Sequence, residues 1–88
     1  MHFSITQEQI ENIVDNAPYQ EAIFWNKEYI RSYKLPSGFT ILGRAAMIDP
    51  TGYDQEIANR IAREDAINQL WSLEGYRYQC ELKEKGML

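Results

Sequence analysis

EYIRSYKLPSGFTILGRAAMI, residues 28–48, decides the fold class. EYIRSYKL alternates and is rich in Tyr and Ile, PSG supplies Pro36 and Gly38 for a tight turn, and FTILGRAAMI follows as a second β-type run, so the segment predicts a β-hairpin. Gly43 stands inside the second run. A glycine there marks either a bulge or a close approach by another backbone, and a bulge would aim Arg44 away from its neighbours.

Working outward, SITQEQIENIVDNAP opens the chain with a helix signature. Thr6 can cap, Gln9 completes a capping box, and Ile5 can staple onto Ile10, which starts a helix at about Gln7. Ile10, Ile13 and Val14 share one face, and Asn16 with Pro18 ends it. Residues 18–27, containing YQEAIFW, fit either a turn of helix or an irregular packing segment. After the hairpin, DPTGYD forms a loop in which Asp54 caps a long helix and Glu56 favours its positive end. That helix is expected to run to about Glu74, with Gly75 as its closing residue, followed by a few helical turns and frayed residues 84–88. The expectation is one α+β domain over residues 1–88, with an N-terminal helix, a β-hairpin and a long C-terminal helix packed on the sheet. A sheet this small is expected to be completed by dimerisation.

In EIANRIAREDAINQLW, residues 56–71, the positions Ile57, Ala58, Ile61, Ala62, Ala66, Leu70 and Leu73 fill one helical arc. Ala58, Ala62 and Ala66 form a small-residue row that admits a close neighbour. Asp65 and Gln69 fall inside the same arc. An unpaired buried carboxylate is costly, so Asp65 is expected to find a partner. Arg44 is the first candidate, with Arg31 and Arg63 as alternatives. Asp65, Arg44 and Gln69 thus form a candidate polar node, read as a structural anchor, as the lining of a ligand pocket, or as the rim of a narrower arc. Ile67 and Trp71 fall outside the arc. Either Trp71 packs on the tail through Tyr76 or Tyr78, or Ile67 and Trp71 form a dimer seam.

Eighty-eight residues make a small domain, and a formal charge of -4 disfavours a general nucleic-acid binder. The single Cys80 and single His2 give neither an intramolecular disulfide nor a zinc site, and no apolar run approaches a membrane span. A reduced, cytosolic protein without metal or cofactor is expected. No nucleophile and base pair is visible, which predicts a protein that is not an enzyme. Acids at the start of the long helix exclude a phosphate loop there.

SGFTILGRAAMIDPTGYDQEIANRIAREDAINQLWSLEGY, residues 37–76, resembles the gene-49/gene-66 family of small tailed-phage proteins, with GYDQEI, IAREDA and LWSLEGY as its strongest matches. Ser37, Ala58, Asp65 and Ser72 depart from the usual Asn, Gly, Asn and Pro of the family. The usual Asn implies that position 65 does not need a charge. The resemblance implies a phage or prophage accessory protein made in the host bacterial cytoplasm. It carries no activity to transfer, but proteins of this size and origin often bind host machinery or disable a defence system, CRISPR effectors and signalling-nucleotide systems included.

Two binding functions follow as expectations. In the first, the chain, as a homodimer, occupies a host protein through exposed aromatics, with Phe24, Trp25, Tyr29, Tyr33 and Trp71 as candidates beside Ile67, its acidity suiting a basic nucleic-acid-binding target. In the second it sequesters an anionic small molecule such as a signalling nucleotide. Arg31, Arg44, Arg60 or Arg63 would pair the phosphates and a Tyr would stack on the base.

Overall fold

The computed structural model describes residues 5–88, so His2 lies outside the described part. Helix α1 spans Gln7–Asn16, strands β1, β2 and β3 span Tyr19–Phe24, Glu28–Lys34 and Thr40–Ala46, a single 3-10 turn covers Pro50–Gly52, and helix α2 runs from Gln55 to Glu84. The capping box of α1 forms as its sequence dictates: the Thr6 hydroxyl accepts from the Gln9 N–H at 3.1 Å, and the Gln9 side chain accepts from the Thr6 N–H at 2.9 Å.

The hairpin expected in residues 28–48 is present, but it is two-thirds of a three-stranded antiparallel sheet ordered β1-β2-β3. The segment YQEAIFW, expected as a turn of helix or an irregular packing segment, instead supplies β1, paired with β2 from Tyr19↔Tyr33 to Phe24↔Glu28. A turn centred on Trp25 (φ 56°) and Asn26 (φ 55°) joins the two strands, closed by the Lys27 N–H to the Phe24 carbonyl at 3.1 Å. Two successive left-handed residues match the twist of an antiparallel hairpin, and such turns ordinarily carry Asn and Gly. Trp in the first place hides that signal. The β2–β3 turn reads as expected, with Pro36 inside it and Gly38 at φ 94°.

The register between β2 and β3 runs without interruption from Glu28↔Ala46 to Lys34↔Thr40, so Gly43 marks no bulge. Its reason is the other one: a Cβ built on Gly43 would stand 2.2 Å from the Ala62 carbonyl oxygen. The row Ala58, Ala62 and Ala66, fully buried, lets α2 lie directly on β3 at that glycine.

Helix α2 is longer than its sequence suggests. Asp54 caps it as expected, accepting from the Glu56 and Ile57 N–H groups at 2.9 and 3.3 Å. Gly75 does not close it; the helix passes through and ends at Glu84. The closing glycine is Gly86 (φ 73°), where the Met87 N–H reaches the Leu82 carbonyl and the Gly86 N–H reaches that of Lys83, the double bond pattern of a Schellman end. Arg77 with Glu74 and Glu81, and Lys85 with Glu81, line the exposed stretch at helical spacing.

The helices cover one face of the sheet. Ile10 and Val14 of α1, Tyr33 and Ile41 of the sheet, and Ala66, Ile67 and Leu70 of α2 form one core cluster; Tyr29, Ala45, Ala58 and Ala62 form a second. Each large side chain so buried contributes roughly 1.5–3 kcal/mol. The buried arc of α2 is rotated from the expected one. Ile57, Ile61 and Leu73 are 40%, 37% and 40% exposed, whereas Ile67, expected outside, is 5% exposed beneath α1. The sequence pattern of α2 alone could not show that a second helix claims that side. On the opposite face of the sheet, Ala22, Phe24, Leu42 and Ala46 are exposed and Ile30 is half-buried.

Candidate functional site

Antiparallel pairing alternates the direction of backbone groups, so in β3 every second residue points its N–H and C=O at β2 and the others point them at the free edge. Leu42 and Arg44 are of the second kind. The half-buried Asp65 carboxylate accepts from the Arg44 backbone N–H at 2.9 Å, and the Gln69 side-chain amide donates to the Leu42 carbonyl at 2.6 Å. Asp65 and Gln69 are therefore helix side chains that cap a strand edge. The node expected from sequence exists, with two corrections. Its acid is not buried, and Arg44 enters through its backbone while its side chain lies exposed on the outer face of the sheet. An Asn side-chain oxygen could accept the same bond, so the node does not require the charge.

A second cluster lies on the helix-facing side of β1 and β2, where Tyr29, Arg31 and Tyr33 pair across to Ile23, Glu21 and Tyr19. The rings of Tyr29 and Tyr33 are buried under the helices, while all of β1 stays exposed. Arg31 lies in the gap. Its Nε donates to the Tyr29 hydroxyl at 2.6 Å, one terminal nitrogen donates to the Tyr33 hydroxyl at 3.1 Å, and its guanidinium carbon sits 4.3 Å over the Tyr19 ring centre. The Tyr29 hydroxyl in turn donates to the Glu21 carboxylate. Burial works against the Arg31 charge, but the Tyr29 and Tyr33 hydroxyls accepting from it outweigh that and raise its pKa. Burial, and then the bond to Glu21, push Tyr29 up to about 12. The second terminal nitrogen of Arg31 has no hydrogen-bond partner among the described residues.

The third feature is the β1–β2 tip. Trp25 is 84% exposed, with Ile23 and Phe24 half exposed beside it. Met47 donates from its backbone to the Lys27 carbonyl at 2.7 Å, and the following Ile48 is 99% exposed. A bulky residue at positive φ is uncommon and costs on the order of 1 kcal/mol or more, so Trp25 is held in an unfavoured backbone while its side chain meets water.

The sequence-stated interface residues divide accordingly. Trp25 is exposed. Tyr29 and Tyr33 are in the core, 0% and 2% exposed, and the aromatic alternation that suggested a binding strand is the inward face of a central strand. Ile67 is buried under α1, and Trp71, half-buried on the same cluster, donates its indole N–H to Gln7 at 2.8 Å, so neither forms an open seam. The four arginines do not converge on one anion site. Arg31 and Arg44 stand on opposite faces of the sheet, Arg60 is exposed, and Arg63 binds Asp15 through Nε at 2.8 Å and through a terminal nitrogen at 3.0 Å, with Glu11 3.6 Å away. The Arg63 guanidinium lowers the Asp15 pKa. Tyr19 and Glu21 went unnoticed in sequence because β1 did, and Ile48 because it reads as the end of the second strand run.

Among the described residues no group of three His, Cys, Asp or Glu side chains could hold a metal, and no helix is long and apolar enough to cross a membrane. A family model described as Phage protein (N4 Gp49/phage Sf6 gene 66) family matches residues 5–82. No curated protein and no solved structure matches the chain.

Proposed function

The chain belongs to the phage protein family of N4 Gp49 and phage Sf6 gene 66, and from that premise we propose that it is an accessory protein that binds a host protein in the bacterial cytoplasm without catalysing a reaction. The observation that carries this reading is Trp25, displayed at 84% exposure on a hairpin tip whose backbone it strains. Trp is a typical interface anchor, and the half-exposed Ile23 and Phe24 just before it add apolar surface. A net charge of -4 suits a target with a basic surface, such as a nucleic-acid-binding groove, and inhibition of a defence system such as a CRISPR effector would follow from covering such a groove. Affinity capture from host cells with the wild-type chain and Trp25→Gly tests it: a host protein retained by the first is lost from the second. Equal recovery on both rejects the tip as the contact.

Arg31 favours a second reading, in which the chain sequesters an anionic small molecule such as a signalling nucleotide. A guanidinium resting on the Tyr19 ring with one nitrogen uncommitted offers a charge for a phosphate and an aromatic face for a base. Glu21, bound to Tyr29 in the same cluster, opposes an anion, which places this reading second. Native and denaturing mass spectrometry of protein purified from infected cells separates the two. A nucleotide released on denaturation, and absent from Arg31→Ala, supports sequestration and counts against host-protein binding.

A further inference from the structure

The two edges of the sheet are treated differently. At the β3 edge, Asp65 takes the outward N–H of Arg44 and Gln69 takes the outward C=O of Leu42, so an incoming strand would have to displace both. At the β1 edge, alternation sends the N–H and C=O groups of Tyr19, Glu21 and Ile23 outward, because Ala22 faces β2 opposite Ile30, and the Lys34 N–H reaches the Pro18 carbonyl at 2.9 Å in the same phase. Those outward groups have no intrachain partner among the described residues. The strand carries neither Lys nor an internal Pro, the usual guards of an exposed edge, and its only charge is Glu21.

We propose that two copies of this chain join through β1, antiparallel about a two-fold axis at Ala22, into a continuous six-stranded sheet. Outward-pointing residues must pair with outward-pointing residues, which leaves two registers of near-full overlap. One is centred on Glu21 and sets that carboxylate directly against the partner's Glu21, a destabilising like-charge pair. The other is centred on Ala22. It sets Glu21 against the partner's Ile23, so that each pair exchanges two main-chain hydrogen bonds, and it lays the half-exposed Phe24 across from the partner's Gln20. The edge is thus complementary to itself, as an isologous contact requires. The pairing does not depend on either reading of the chain's function.

Sedimentation velocity of the full chain across a hundred-fold concentration range is expected to give twice the chain mass. Ile23→Pro removes an outward donor and leaves the β1–β2 ladder intact, and it is expected to give the single-chain mass with an unchanged far-ultraviolet spectrum. The register is read by oxidation in a Cys80→Ser background. Ala22→Cys sits at a non-hydrogen-bonded pair with Cα atoms about 4.5 Å apart, within disulfide reach, and is expected to give a covalent dimer, whereas Glu21→Cys is not. A monomer at all concentrations overturns the proposal. So does a dimer in which Ala22→Cys fails to cross-link, or one that cross-links through Glu21→Cys instead. Should Ile23→Pro fail to fold, the cross-linking pair still decides.

Discussion

Gly43→Ala tests how the helix is seated on the sheet. The added methyl would stand 2.2 Å from the Ala62 carbonyl oxygen, 3.0 Å from its carbon and 3.3 Å from the Ala66 Cβ. Carbon contacts settle at roughly 3.5–4.0 Å, so relief requires α2 to retreat by about 1 Å along the Ala58, Ala62 and Ala66 row. No rotamer change can supply that, because the nearest obstacle is backbone. Overpacking costs about 1–3 kcal/mol, and an unyielding neighbour puts this site near 3 kcal/mol. Urea unfolding followed by circular dichroism is expected to show a midpoint lower by about 1.5–3 M with little change in slope, for slopes of about 1–2 kcal/mol/M. Ala62→Gly is not expected to rescue the variant, since it leaves the carbonyl in place. A loss below about 0.5 kcal/mol, the range of ordinary surface substitutions, would refute the close seating of α2 on β3.

The Gly75→Ala substitution enters a continuous helix with nothing within 4 Å of the new methyl, so it is expected to stabilise by about 0.5–1 kcal/mol; destabilisation would place a helix end there instead. Asp65→Asn keeps an acceptor for the Arg44 N–H and is expected to unfold within about 0.5 kcal/mol of wild type, while Asp65→Ala loses about 1 kcal/mol. Arg44→Ala is expected to be near neutral in the same urea series, because only its backbone takes part; a loss of about 3 kcal/mol would restore the guanidinium as the partner of the acid. Tyr29 holds its proton up to about 12 in the folded chain. Its contribution is therefore complete below the ordinary tyrosine value near 10 and is lost as pH rises toward 12, so the unfolding midpoint is expected to fall more steeply over that window in wild type than in Tyr29→Phe.

Where local chemistry and periodicity agreed, the sequence reading and the structure coincide. Thr6 with Gln9, Asp54 with the long helix, and the Pro36 to Gly38 turn each satisfy backbone groups within a few residues, so no distant contact could override them. Gly43 was ambiguous between bulge and close approach, and only the position of Ala62 resolves it. The failures share a cause in tertiary context. Strand β1 was hidden because its turn places Trp25, a poor left-handed residue, where Gly or Asn would have announced it. Helix α2 passes through Gly75 because a lone helical glycine costs only about 1 kcal/mol, less than the solvated ion pairs and turns beyond it supply together. Ile67 and Trp71 looked unpartnered because α1, which covers them, lies more than fifty residues away in the chain. The Asp65 node was legible as a position and illegible as a bond, since a pattern of side chains does not reveal that the donor is a strand backbone.

The most direct test of host-protein binding through the tip couples stability to capture in one variant. Trp25→Gly removes the exposed indole and relieves a left-handed backbone, so the isolated chain is expected to unfold at a higher urea concentration, by about 0.4–1 kcal/mol, than wild type. In quantitative affinity capture from host cells, the same variant is expected to recover its host protein at least ten-fold less than wild type. A variant that is more stable and still captures equally, or a wild-type chain that captures no host protein, would contradict the tip as the functional surface.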